Sequence, residues 1–133
     1  MPGTKSKDLS LRRKLLPEAP YYVWEGAGIR ALRESLGATQ EEFAQIVGVA
    51  VATVYRWEKE RVKPEAKMAR KLGRLKEIVD LLQAGFDVEG LKLFFTTPHP
   101  RLQSDRPMDL LDFDSGTERV KGLIEAAMTG ALG

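Results

Sequence analysis

Apolar residues recur along this chain at spacings of three and four, and that rhythm predicts an all-α fold. Ile29, Leu32 and Leu36 make one stripe of a helix from about Glu25 to Leu36. Phe43, Ala44, Ile46 and Val47 give a second, short helix its apolar side, and Thr39 with Glu42 forms a capping box at its start. Gly48 stands where a helix ends in a left-handed residue. A third helix is expected from Ala50 to Lys59, with Ala50, Thr53, Val54 and Trp57 on one face and Val51, Ala52, Tyr55, Arg56 and Lys59 on the other. Pro64 suits the first position of a long helix reaching Gln83, with Gly85 beyond its end. Along it Met68, Leu72, Leu75, Val79 and Leu82 repeat as a heptad seam, and Ile78 and Leu81 add a second apolar side near its end. Further helices are expected at Asp87–Phe95, as a short turn at Met108–Leu111, and at Thr117–Thr129. Asp114 or Ser115 would cap the last one and Gly130 would close it, and Val120, Leu123, Ile124, Ala127 and Met128 form its stripe. Tyr21, Tyr22, Val23 and Trp24 are too apolar for a free tail and are expected to pack on the helical domain.

Residues 38–64 have the layout of a helix-turn-helix DNA reader: two short helices, a glycine turn and a basic end. The outer face of the second helix suits a major groove. Arg56 has the donors for a two-bond contact to guanine, and Val51 and Ala52 are small enough to meet a thymine methyl. Tyr55 shares that face, and Thr53, Lys59 and Lys63 are expected near phosphates.

The segment resembles the Xre-type helix-turn-helix of lambda-repressor-like regulators. The matching residues are Thr39-Gln40-Glu41-Glu42-Phe43-Ala44, Gly48-Val49, Thr53, Val54, Trp57-Glu58 and Lys63-Pro64. The resemblance implies that Gln40 contacts a phosphate and that the start of the second reader helix reads bases. Two positions depart from the pattern. Ala50 replaces a Ser or Thr cap, at about 1 kcal/mol. Glu60 replaces the usual Gly and brings a carboxylate near the expected phosphates.

Charge divides the chain. Its net charge is +2, but residues 1–84 carry 16 Lys/Arg against 11 Asp/Glu, and residues 85–133 carry 5 against 8. A basic half and an acidic half suggest two roles, the first involving a polyanion. Three regions follow: a basic flexible arm at 1–20, punctuated by Pro2, Pro17 and Pro20; the DNA reader at 21–84; and a partner-binding region at 85–133. There is no cysteine, so disulfide and thiol chemistry are excluded. No apolar run approaches a membrane span, and the first residues lack the apolar core of a secretory signal. A cytoplasmic protein is expected.

The second half carries its own resemblance. Phe94, Phe95, Thr97, Pro98, Leu102, Arg106, Pro107, Asp109, Leu110, Leu111, Asp114, Gly116 and Gly130 follow, in order, the skeleton of the C-terminal domain of Xre–MbcA–ParS antitoxins. Ser104 falls where that family often has Gly. The resemblance implies a RES-domain toxin, of a kind that degrades NAD, as partner, and repression of the chain's own operon. It also implies toxin contacts through Phe94, Phe95, Arg106, Met128 and Leu132. The end of the chain, Met128 to Gly133, is small and apolar, which suits a cleft about as well as it suits a frayed terminus.

Catalysis finds little support. His99, the only histidine, lies between two prolines, and Asp109, Asp112, Asp114 and Glu118 match no calcium loop. Neither metal nor cofactor is expected. The sequence therefore reads as a non-enzymatic antitoxin and autorepressor that binds operator duplex as a homodimer. The heptad seam is one candidate dimer surface, unless the chain covers it itself. The alternative is a stand-alone Xre-family repressor whose C-terminal bundle dimerises or senses a ligand.

Overall fold

The computed structural model describes residues 24–130; the expectations for the basic arm, for Tyr21–Val23 and for Leu132 lie outside them. The described residues are helical, without strands. In order they form α1 (Gly26–Ser35), α2 (Gln40–Val47), α3 (Val51–Lys59), α4 (Ala66–Gln83), α5 (Val88–Thr96), 3-10 turns at Pro100–Leu102 and Pro107–Leu110, and α6 (Asp114–Met128).

Local chemistry sets most boundaries. The Thr39 hydroxyl accepts from the Glu42 N–H at 3.1 Å, and the Glu42 carboxylate accepts from the Thr39 N–H at 2.9 Å. Gly48 leaves α2 at φ 86°, a conformation that glycine adopts without steric cost. Asp87 caps α5 by accepting from the Gly90 N–H at 2.8 Å. Ala50, as expected, offers α3 no side-chain cap.

Two helix starts differ from expectation, and two turns use a left-handed residue other than glycine. Pro64 is not the first residue of α4, because Glu65 is extended (ψ 159°) and takes the N-cap position ahead of Ala66. Neither Asp114 nor Ser115 caps α6: both are already inside the helix, and Phe113 is the extended residue before it. The left-handed residue after α3 is Arg61 (φ 57°), one place beyond Glu60. Ser104, where glycine was expected, is also left-handed (φ 67°).

One hydrophobic core runs through both halves of the chain. Ile29, Leu32 and Leu36 of α1, Phe43 and Ile46 of α2, and Val54 and Trp57 of α3 join Leu91 and Phe95 of α5 and Val120, Leu123 and Ile124 of α6 in a single cluster. Trp24 is buried with them. The join is α4. Its Leu72, Leu75, Ile78, Val79 and Leu82 are all buried, and Met68 and Leu81 pack on the edge of the core. This helix meets α1 and α2 on one side and α5 and α6 on the other. The seam and the second apolar side are thus covered within the chain, so neither supplies the dimer surface that the sequence suggested.

Polar staples fasten the same join. The Lys71 ammonium donates to the Leu111 carbonyl at 2.6 Å, and that carbonyl also accepts from the Thr117 hydroxyl at 3.3 Å. Burial pushes the Lys71 ammonium below its usual range, although Asp114 and Asp112 pull the other way. Arg74 meets Asp114 at 2.8 Å, and Lys121 meets Glu77 at 2.7 Å.

A buried ion pair fixes α3 against α1. Arg33 presents its fork to Glu58, with Nε 2.8 Å from Oε2 and Nη2 3.1 Å from Oε1, and its Nη1 donates to the Ala38 carbonyl at 3.2 Å. The Glu58 side chain is wholly inaccessible and lies 3.6 Å from Arg30. Burial alone would push its carboxyl up. Hydrogen bonds from Arg33 and Gln40, and the charges of Arg33 and Arg30, outweigh that and hold it below the ordinary carboxylate range.

Two outcomes are expected. Glu58 has a lowered folded-state value, so its contribution is present above the unfolded carboxylate range and is lost as pH falls through the folded value. Glu58→Gln should cost about 3 kcal/mol near neutrality, since it leaves the part-buried Arg33 without its anion. It should also flatten the acid limb of the stability profile, checked by urea unfolding from pH 7 down to 3. At Gly116, a methyl group would collide with the Leu110 carbonyl oxygen. Gly116→Ala should therefore lower stability by about 1–3 kcal/mol. Gly122→Ala, on the open side of the same helix, should raise it by about 1 kcal/mol. Denaturant midpoints of the two variants decide the matter.

Candidate nucleic-acid interface and partner surface

The α2–turn–α3 unit presents one solvent-facing surface. Val51 (43% exposed) and Tyr55 (50%) are large apolar side chains left in water, and Ala52, Arg56 and Lys59 are exposed beside them. Val54 and Trp57 point the other way into the core. Of the four residues expected on the buried face, Ala50 is exposed and Thr53 half-buried, because α3 rests on α1 and α2 mainly through its second turn. The Thr53 hydroxyl accepts from Arg56 at 3.3 Å, which holds the guanidinium close to the start of α3. Lys63 is exposed in the connection that follows.

Gln40 begins α2, half-buried, and its amide donates to Glu58 at 3.3 Å. The remaining amide oxygen and the second N–H stay available near the helix start, where backbone donors favour an anion. Sequence reasoning placed Gln40 at a phosphate but missed the Arg33–Glu58 pair behind it.

The basic side of α4 splits in two. Lys71 and Arg74 are committed to Leu111 and Asp114. Lys67 and Arg70 are exposed, on the side where Arg61 and Lys63 also lie in sequence. Arg56, Lys59, Arg61, Lys63, Lys67 and Arg70, none of them in an ion pair, outnumber the exposed carboxylates Glu60 and Glu65 of the same stretch, as a polyanion site requires.

The C-terminal half shows a different surface. Val88 (63% exposed), Leu93 (64%), Phe113 (70%) and Met128 (57%) are large apolar groups in water, with Phe86 close behind at 47%. Scattered exposed apolar residues are common, but so many in about 40 residues fits a partner surface. Of the expected partner contacts, Met128 is exposed and Phe94 half-buried, tilted on Phe86 at 6.4 Å and edge-on to Phe95 at 5.2 Å. Phe95 is fully buried, and its ring is part of the core and offers a partner no surface. Leu93 and Phe113 are exposed apolar residues that the sequence reading did not single out. Leu93 lies opposite Leu91 and Phe95 on α5, and helical spacing would have flagged it.

Arg106 is half-exposed. Its fork holds Asp109 through Nε–Oδ2 at 2.9 Å and Nη2–Oδ1 at 2.7 Å, and Nη2 lies 3.6 Å from Glu42 of α2. The hydrogen bond from Arg106 holds the Asp109 carboxyl below its ordinary range.

His99 acts structurally. Its Nδ1 accepts from the Arg101 N–H at 3.1 Å and starts the first 3-10 turn. No cluster of His, Cys, Asp and Glu suited to a metal occurs among the described residues. None of their helices is long and apolar enough to cross a membrane.

Comparison with known proteins fits this two-surface arrangement. A sequence model of the helix-turn-helix family matches residues 29–75, from the middle of α1 to the middle of α4. The mycobacterial cidal antitoxin MbcA of Mycobacterium tuberculosis H37Rv is 30% identical over 99 residues, which cover 74% of this chain and 87% of that protein. The MbcA of Mycobacterium bovis AF2122/97 matches to the same extent. Among solved structures, a chain of the crystal structure of the M. tuberculosis MbcT–MbcA toxin–antitoxin complex superposes with a TM-score of 0.61 at 28% identity, covering 79% of this chain and 94% of that one. The match spans the reader and the C-terminal half alike, and on that extent the chain belongs to the family of helix-turn-helix antitoxins that includes MbcA.

Proposed function

We propose that this chain is the antitoxin of a toxin–antitoxin pair, that its C-terminal half covers and neutralises a RES-domain toxin, and that its reader represses its own operon. The observation that carries the reading is the relation to MbcA across both halves, joined to an exposed reader face at one end and exposed apolar groups at the other. Neutralisation by occlusion needs no catalytic group in this chain. The toxin contacts are Phe94, Arg106, Met128 and, outside the described residues, Leu132, with Leu93 and Phe113 added from their exposure. Base edges are met by Arg56, Tyr55, Ala52 and Val51, and phosphates by Gln40, Thr53, Lys59 and Lys63. One reader helix touches few base pairs, so a homodimer on a two-fold operator is part of the proposal. Its interface must use surface other than the α4 seam.

On the chain's own promoter, Arg56→Ala should cost about 1–3 kcal/mol and relax preference at one base pair. Lys63→Ala should weaken all sequences alike and reduce the salt slope by about one. Absence of any footprint at low salt would remove the DNA role. For the toxin, the full-length chain should co-purify with a RES-type product of a neighbouring gene and relieve its toxicity. Deleting residues 86–133 is a poor test, since it would remove α5 and α6, both of which pack against α4. Leu93→Glu with Phe113→Glu should instead weaken capture by at least about 2 kcal/mol while leaving the fold intact. Removing residues 130–133, Leu132 among them, should leave binding largely intact and weaken neutralisation if the chain's end plugs the toxin's cleft. Failure to co-purify would leave a repressor alone.

A further inference from the structure

Arg106 has a partner in each half of the chain. In its own half it holds Asp109, and across the join its Nη2 lies 3.6 Å from Oε2 of Glu42. That carboxylate is already engaged, because its Oε1 accepts the Thr39 N–H and closes the first turn of α2. A single glutamate thus both completes the start of the reader's first helix and meets the C-terminal half.

The turn just ahead is held from the same half. Gly37 lies so close to α5 that a methyl on it would come within 2.9 Å of the Thr96 side chain. On the reader side, Gln40, the first residue of α2, donates to Glu58 at the end of α3. The N-terminal turn of α2 is therefore located between the reader helix and the partner-binding half. In a helix-turn-helix this turn approaches the phosphate backbone, and hydrogen bonds to phosphate weaken steeply when donors are misaimed.

We propose that Arg106 is a positioning residue of the DNA reader: through Glu42 it sets the N-terminal turn of α2, and Gln40 with it, against the phosphates. DNA affinity then depends on a residue of the half that meets the toxin. The inference rests on the DNA-binding reading above. It requires no contact between Arg106 and DNA, and it sets no limit on Arg106 also meeting a partner. The pair is half-exposed, and such pairs contribute little to stability, so geometry and not folding carries the effect.

A double-mutant cycle on the full-length chain tests it, with duplex from upstream of the protein's own reading frame as probe. Arg106→Ala should weaken binding about three- to tenfold, with an unchanged salt slope and an unfolding midpoint close to the parent's. In a Glu42→Gln background, which keeps an acceptor for Thr39, the same change should matter less than about 1.5-fold. Arg106→Lys, which keeps a charge facing Glu42, should recover much of the loss, and Arg106→Gln, which keeps a long polar side chain but no charge, serves as the probe if the alanine variant fails to fold. Three results would overturn the proposal: no weakening, equal weakening in both backgrounds, or a salt slope reduced by about one, which marks a direct phosphate contact. A parent chain that binds no duplex at low salt would take down the DNA reading itself.

Discussion

Helix α4 has apolar groups on more than one side, and covering them draws α1, α2, α5 and α6 around it. Leu72 and Leu75 are fully inaccessible, and Ile78, Val79 and Leu82 nearly so. An 18-residue helix of this kind cannot be left half bare, because each uncovered aliphatic side chain would cost about 1.5–3 kcal/mol. The reader helices cover one side and the C-terminal helices the other. The staples from Lys71, Arg74 and Glu77 set the register of that second contact, and they do so with groups that the apolar seam leaves at its margins.

Charge follows from this placement. Cations on the part of α4 that faces the C-terminal half are taken up by its carbonyls and carboxylates. Cations on the reader side, from Arg56 to Lys63 and on to Lys67 and Arg70, have no carboxylate partner among the described residues. In a chain with a net charge of only +2, six cations without an ion pair thereby fall within residues 56–70, the end of the reader and the start of α4. The buried Arg33–Glu58 pair contributes nothing to that face. It fixes the angle at which α3 presents it.

Much of this was legible in the residues. The helix periodicities of Ile29–Leu36, Phe43–Val47 and Val120–Ile124 identify their helices directly, and Thr39, Glu42 and Gly48 punctuate the reader as capping chemistry demands. Helix starts were less secure. Asp114 and Ser115 look like caps, yet Thr117 can bond back to Phe113, and the helix begins earlier. The heptad spacing of α4 was real, but spacing says only that a stripe is buried and not which molecule buries it. Phe95 and Phe94 are adjacent in sequence with opposite fates, one sealed in the core and one at its edge. The Arg33–Glu58 pair spans 25 residues, beyond the reach of any local pattern.

Sharing one core has a consequence for how such chains are built and rebuilt. A reader and a partner-binding module joined by a loose linker can be exchanged as cassettes, and each half then varies on its own. Here α4 belongs to both, and Gly37 against Thr96 and Glu42 against Arg106 add contacts on either side of it. A chimera cut at residue 84 would pair two half-cores that had never met. If the chain acts as proposed, a new operator with the old partner would be sought by changing the outer face of α3, at Val51, Ala52, Tyr55 and Arg56, and leaving the helices beneath it where they are.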